Sequence, residues 1–156
     1  MEAAKGLMHT CYQMYVQTPT GLAPEIVRFS KGNDMFVDSG AKHSFLRPET
    51  VESLFVMYRI TGDTRYQDWG YVRLGNPVGP SCSLVNMHMS NWRRWNIFKS
   101  IMKHAKVESG GFSGLRDVTV YPPVKNDHQE SFFLSETLKY LVRCVCVATF
   151  RCATRV

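Results

Sequence analysis

Apolar residues recur at helical spacing near the start of the chain and then give way to turn-forming residues. Over residues 3–16, Leu7, Cys11, Met14 and Tyr15 stand four, three and one residues apart, the pattern of an amphipathic helix. Thr18-Pro19-Thr20-Gly21 stops it. Pro24 then biases Ala23 away from helical angles, so Gly21-Leu22-Ala23-Pro24-Glu25 is expected to be a loop. Residues 26–29 read as a short strand and 31–34 as a turn. A clearer helix opens within residues 46–55. Pro48 suits its first turn, where a missing N–H costs little, and Glu49 and Glu52 lie where the helix dipole favours anions. Val51, Leu54, Phe55 and Tyr58 supply the buried stripe, Thr61-Gly62-Asp63 ends it, and residues 66–70 begin another helix.

That last helix breaks off at once. Residues 71–94 contain Gly75, Pro77, Gly79 and Pro80 and have no helical period. With 71–94 removed, Tyr66, Trp69, Ile97 and Ile101 fall three, four and four residues apart, one continuous stripe ending near Lys106. An insertion is therefore expected, the alternative being a natural helix–loop–helix. Residues 108–115 and 118–123 read as turn and loop, and Gly110-Gly111-Phe112-Ser113-Gly114 lacks the Lys-Ser/Thr of a phosphate-binding loop. A final helix is expected over residues 130–140, with Leu134, Leu138 and Leu141 on its buried side. From 142 to 156 the period is lost.

Composition sharpens the insertion reading. The 156 residues are 44% hydrophobic, enough for a packed core and against general disorder. No apolar run approaches the roughly 18 residues of a membrane span, and Met1-Glu2-Ala3-Ala4-Lys5-Gly6 lacks the apolar stretch of a secretory signal. The net charge of +6 is accounted for by Arg73, Arg93 and Arg94 in 71–94 and by Arg143, Arg151 and Arg155 in 141–156, two stretches without an acid. Cys82, Cys144, Cys146 and Cys152 lie in the same stretches, which leaves Cys11 alone in a neutral body. Both foreign stretches begin at Val-Arg (Val72-Arg73 and Val142-Arg143). A 5′ splice site read in frame would encode that pair, so retained intron sequence is expected. Arg93-Arg94 beside Trp92 and Trp95 has the right chemistry for nucleic acid. Three arginines inside a suspected insertion carry little weight, and no nucleic-acid partner is expected.

Two constellations could carry chemistry. Glu49 and Glu52 share a helix face with Cβ atoms about 5–6 Å apart, a pairing that can keep one carboxylate proton-hungry for general-base work. Arg47 could neutralise the pair or orient a hydroxylated ligand. Glu130 and Glu136 flank Phe132 and Phe133, and an aromatic beside carboxylates suits a sugar, with ring faces on the aromatic and hydroxyls on the acids. The bland alternatives are dipole-complementing surface acids and a core aromatic pair. No metal ligands are expected: the histidines are scattered, HExxH is absent, and Cys144-x-Cys146 with Cys152 lacks a zinc framework.

The run Leu46-Arg47-Pro48-Glu49-Thr50-Val51-Glu52-Ser53-Leu54-Phe55, with Tyr58-Arg59-Ile60-Thr61-Gly62-Asp63 and Tyr66-Gln67-Asp68-Trp69-Gly70, closely resembles the class I α-1,2-mannosidases, glycoside hydrolase family 47. Further matches in the family's order are Gly21-Leu22-Ala23-Pro24-Glu25, Val107-Glu108-Ser109-Gly110-Gly111 and the run from Glu130 to Leu141. The resemblance covers 1–70 and 95–141. It implies a mainly α fold, part of an (αα)7 barrel: a partial catalytic domain over 1–141, interrupted by 71–94 and followed by an unrelated tail over 142–156.

What the resemblance implies about function is specific. The family hydrolyses terminal α-1,2-linked mannose of high-mannose N-glycans on glycoproteins, with inversion and with calcium, at the lumenal side of the endoplasmic reticulum or Golgi membrane. Glu49 matches the proposed base. Arg47 and Glu52 match neighbouring residues that contact the sugar or shape the site, and Glu25, Phe132 and Glu136 match positions lining the −1 pocket. In an inverting glycosidase the acid lies about 6.5–9.5 Å from the base. The family's candidate acids are expected upstream of this chain, and its calcium-binding threonine lies in a Thr-Glu motif that a sequence diverging after Leu141 does not carry. Several matched carboxylates would hold the ion's water shell in a complete member. The expectation is a chain with little or no activity alone, the alternatives being a non-catalytic mannose-binding remnant or an unstable product.

Overall fold

The computed structural model describes residues 1–70 and 97–143. Helix α1 spans Glu2–Val16 and buries Met8, Tyr12 and Tyr15, with Cys11 and Met14 at the edge of the core. The expected stripe through Leu7 is displaced by one residue, since Leu7 is 68% exposed. The reason lies outside the helix: Tyr12 stacks on Trp69 with centroids 4.4 Å apart and planes 4° from parallel, a contact that fixes the rotation of α1.

A two-stranded antiparallel hairpin follows, β1 (Arg28–Ser30) with β2 (Asn33–Phe36). The strand expected over 26–29 is shifted along the chain, and the expected turn 31–34 closes early at Gly32, whose φ of 96° suits glycine. Asn33 and Asp34 begin β2, which pattern reading did not anticipate. Arg28 pairs with Asp38 at 2.6 Å beside the hairpin.

Helix α2 spans Glu49–Thr61 with Pro48 at its N-cap, so it starts later than the expected opening at residue 46. Leu46 has a φ of 61°, which no helix interior accommodates. Gly62 ends α2 at a φ of 69°, its N–H donating to the Tyr58 carbonyl at 2.8 Å. Val51 and Leu54 are fully buried, each contributing roughly 1.5–3 kcal/mol of transfer free energy, while the expected core residue Phe55 is only half-buried. The rest of the face is Thr50, Met57 and Tyr58.

The short helix α3 (Arg65–Gly70) opens on the Asp63 carboxylate, which accepts the Arg65 N–H at 3.0 Å. Helix α4 spans Ile97–His104. Tyr66, Ile97 and Ile101 are buried in one core with Trp69 at its edge. The proposed insertion 71–94, with Cys82 and Arg93-Arg94, lies outside the described residues, as do Trp95 and the tail cysteines Cys144, Cys146 and Cys152.

The segment between α4 and the last helix is turn and loop, as expected. It is stitched to the rest by Ser44 and Leu115, which exchange N–H···O bonds at 2.9 Å in both directions, and by the Thr20 hydroxyl on the Val118 carbonyl at 2.9 Å. Gly114 is required there: a Cβ would lie 2.7 Å from the Asn126 amide and 2.9 Å from the Ser44 carbonyl.

Helix α5 covers residues 131–143, and its middle, Phe133–Leu138, is wound as a π-helix. The buried side runs through Phe133, Thr137 and Leu141. The expected stripe through Leu134 is corrected, since Leu134 is 55% exposed and Leu138 only partly buried. The π winding departs from the regular α period assumed for the stripe, and the buried positions are 133, 137 and 141. Helix α2 lies at the centre, touching α1, α3 and α5. Among the described residues no helix is long and apolar enough to cross a membrane.

Candidate active site

The loop entering α2 carries Phe45, Leu46 and Arg47. Its outer boundary is Glu25, whose own N–H is held by the Ala41 and His43 carbonyls at 3.1 and 2.7 Å. The Glu25 side chain is 12% exposed against 50% for Arg47. A carboxylate this buried needs compensation. The Arg47 Nε donates to its Oε1, and the Phe45 N–H donates to its Oε2 at 3.3 Å. The Arg47 guanidinium carbon stands 5.5 Å from the centre of the Phe132 ring and 5.9 Å from that of Phe45, within cation–π range. The hydrogen bond to Glu25 and the charges of Glu25, Glu49 and Glu130 hold the guanidinium above its ordinary pKa. Glu25, Arg47 and Phe132, distant in sequence, thus form one contiguous cluster.

Glu49, the first residue of α2, is exposed. Among the described residues its carboxylate has no hydrogen-bond partner, so both oxygens are open to water, yet its charge acts on Arg47 and on Tyr15. Tyr15 is buried, with Thr50, Glu49 and Glu25 near enough to act on its phenol. Its phenol is pushed up to about 12, chiefly by burial, with the nearby Cys11, Glu49 and Glu25 adding to the rise.

Glu52, one turn further on, accepts a hydrogen bond from the Tyr140 hydroxyl at 2.6 Å. The Tyr140 phenol is raised above its ordinary range by that bond, by burial, and by the charges of Glu52 and Glu136. Glu136, four residues before Tyr140 on the same helix, acts on that phenol through its charge. Three residues before Tyr140, the buried Thr137 hydroxyl donates to the Leu46 carbonyl at 2.7 Å. Helix α5 is therefore fastened to both the loop before α2 and the first turns of α2.

Of the six residues singled out from the sequence, Glu25, Arg47 and Phe132 are in contact; Glu52 is tied to α5; Glu49 and Glu136 join through their charges. Sequence reading missed Phe45, Tyr15, Thr137 and Tyr140. Both α5 residues stand inside the Glu130–Leu141 run, and Tyr140 follows Glu136 by four residues, the spacing of a helical turn, which was the available signal. Among the described residues no group of three or more His, Cys, Asp or Glu side chains converges as a metal site would require. These residues do not by themselves fit a directly ligated calcium ion.

An exposed carboxylate, an arginine–carboxylate pair and an aromatic face suit a polyhydroxylated ring. The sequence profile of glycosyl hydrolase family 47 matches residues 1–76 and 87–142. A mannosyl-oligosaccharide 1,2-alpha-mannosidase of Arabidopsis thaliana is 40% identical over 158 residues, covering 90% of this chain and 22% of its own length. The endoplasmic reticulum mannosyl-oligosaccharide 1,2-alpha-mannosidase of Homo sapiens is 44% identical over 147 residues, covering 90% and 18%. Among solved structures, the alpha-1,2-mannosidase from Trichoderma reesei superposes with a TM-score of 0.66 at 25% identity, over 88% of this chain and 27% of that one. The expected fold is borne out as a mainly helical part of an (αα)7 barrel. The chain spans about a fifth of the length of these curated relatives.

Proposed function

The chain belongs to glycosyl hydrolase family 47, and from that premise we propose that it forms part of the catalytic domain of an α-1,2-mannosidase. Its substrate would be terminal α-1,2-linked mannose on high-mannose N-glycans of glycoproteins. The observation that carries this reading is the Glu25–Arg47–Phe132 cluster, with Glu49 exposed on the next turn.

The roles follow from the chemistry of each group. Phe132 offers a ring face to the apolar side of a mannose, while Arg47 and Glu25 can donate to and accept from its hydroxyls. Glu49 takes a proton from water as the water oxygen bonds the anomeric carbon. The glycosidic C–O bond breaks on the opposite side, and a general acid supplied by the longer enzyme protonates the departing oxygen, with inversion. Without that acid the rate falls by about 10²–10⁴, so this chain alone is expected to hydrolyse little or nothing. We propose that calcium serves the longer enzyme, and no step above passes through it. The endoplasmic reticulum is the proposed location, supported by the printed name of the human relative; the Golgi is the alternative. Residues 71–94 and 142–156 are proposed to be foreign to the domain; the family match passes over 77–86 and stops at 142, but it takes in 71–76 and 87–94. Genomic sequence showing both as coding exons in relatives would contradict this.

The functional test is a titration of the purified chain with α-1,2-mannobiose, using maltose as control. Binding of the first and not the second is expected, with no free mannose released. Binding of neither would overturn the site, and measurable mannose release would overturn the statement that the chain alone is inactive.

A further inference from the structure

Glu52 could in principle swing freely, since it lies on the half-exposed flank of α2. Its Oε1 is instead engaged by Tyr140 at 2.6 Å across 88 residues of sequence. The tyrosine ring is itself restrained: the Phe55 ring lies 5.9 Å away and tilted by 41°, and the Lys139 ammonium sits 4.8 Å from its centroid. Phe55 follows Glu52 by three residues on α2, so acid and ring brace occupy neighbouring positions on one helix face. The Thr137 hydroxyl, bonded to the Leu46 carbonyl at 2.7 Å, prevents α5 from sliding relative to that face.

From this arrangement we propose that Tyr140 is a positioning residue for the sugar site, holding the Glu52 carboxylate by one oxygen so that the other is presented to a mannose hydroxyl. The inference rests on the mannosidase reading and adds to it a specific division of labour within α5. Phe132 and Glu136 face the ligand, while Thr137 and Tyr140 hold α2 in register. A hydroxyl-to-carboxylate hydrogen bond preorganises the acceptor, so less side-chain freedom is lost when the ligand arrives. Among the described residues no other group bonds the Glu52 carboxylate, so removing the tyrosine hydroxyl releases it without leaving a buried group stranded.

The test uses the whole chain in two measurements. Tyr140→Phe keeps the ring against Phe55 and deletes one hydroxyl. Its affinity for α-1,2-mannobiose, followed by NMR titration, is expected to fall roughly tenfold, while the thermal midpoint stays at the wild-type value. In ¹³C-tyrosine NMR the Tyr140 phenol is expected to titrate above the ordinary tyrosine range in wild type and closer to it in Glu52→Gln, where the negative acceptor is gone. A loss of affinity at an unchanged thermal midpoint is what a purely structural tyrosine would not give, and the titration shows that the hydroxyl engages Glu52. Unchanged affinity in Tyr140→Phe, or an unmoved Tyr140 titration in Glu52→Gln, overturns the inference and leaves the mannosidase reading standing. A wild-type chain that binds no mannobiose overturns both.

Discussion

Glu49 and Glu25 meet different surroundings, which suit the different tasks proposed for them. Glu25 is nearly buried and fully engaged by Arg47 and the Phe45 N–H, so it is a fixed acceptor. Glu49 is exposed, and among the described residues no donor bonds it, which is what a group that must take a proton from water requires. In an active family enzyme carrying this segment, Glu49→Gln is expected to lower kcat about 10²–10⁴-fold with little change in KM, measured by mannose release. Tyr15 gives a stability prediction. Its folded pKa is raised to about 12, above the ordinary tyrosine value near 10, so folding favours the neutral phenol. That contribution is intact below pH 10 and is lost as pH rises toward 12, because the unfolded chain ionises first. The loss amounts to about 3 kcal/mol. Denaturant unfolding across that window should show a loss smaller by that amount in Tyr15→Phe than in wild type. Arg47 and Glu49 were legible because they stand in one unbroken run. Tyr15, deep in a different helix, acts on the same site through space and left no sequence signal.

At the scale of elements, the site depends on how α5 meets α2. Thr137 is 1% exposed, and its hydroxyl satisfies the carbonyl of Leu46, a residue held at positive φ. Thr137→Val preserves shape and strands that carbonyl, and a loss of about 1–3 kcal/mol in unfolding free energy is expected by denaturant titration. A loss below about 0.5 kcal/mol would mean that the contact is incidental. The opening of α2 was expected at residue 46 and lies at Glu49, but its end could be read from Gly62, because backbone geometry fixes what that residue does. The rotation of α1 and the winding of α5 could not. Tyr12 finds Trp69, and Phe133 finds Phe112, at separations no local period encodes. Leu7 and Leu134 were misplaced for that reason. The second strand escaped notice because Asn33 and Asp34 are turn-prone, and their pairing with β1 overrides that preference.

For the whole molecule, several large apolar side chains remain uncovered. Leu7, Val56, Ile60 and Leu134 are 68%, 44%, 61% and 55% exposed on α1, α2 and α5. In a closed ring of helix pairs, neighbouring helices would cover such faces. The isolated chain is therefore expected to bind a hydrophobic dye and to associate as its concentration rises, read by fluorescence and light scattering. A dye-silent monomer at all concentrations would contradict this. With no group of three candidate ligands converging among the described residues, chelation should leave the thermal midpoint of this chain unchanged. A drop on adding chelator would reveal a calcium site that the described residues do not form.

The most direct test locates the ligand. Isotope-filtered NMR of the chain with α-1,2-mannobiose should give cross-relaxation between mannose ring protons and the Phe132 ring, and Arg47→Ala should abolish it. Contacts confined to other surfaces, or the same Phe132 contacts persisting without Arg47, would contradict the assignment of this cluster as the sugar site.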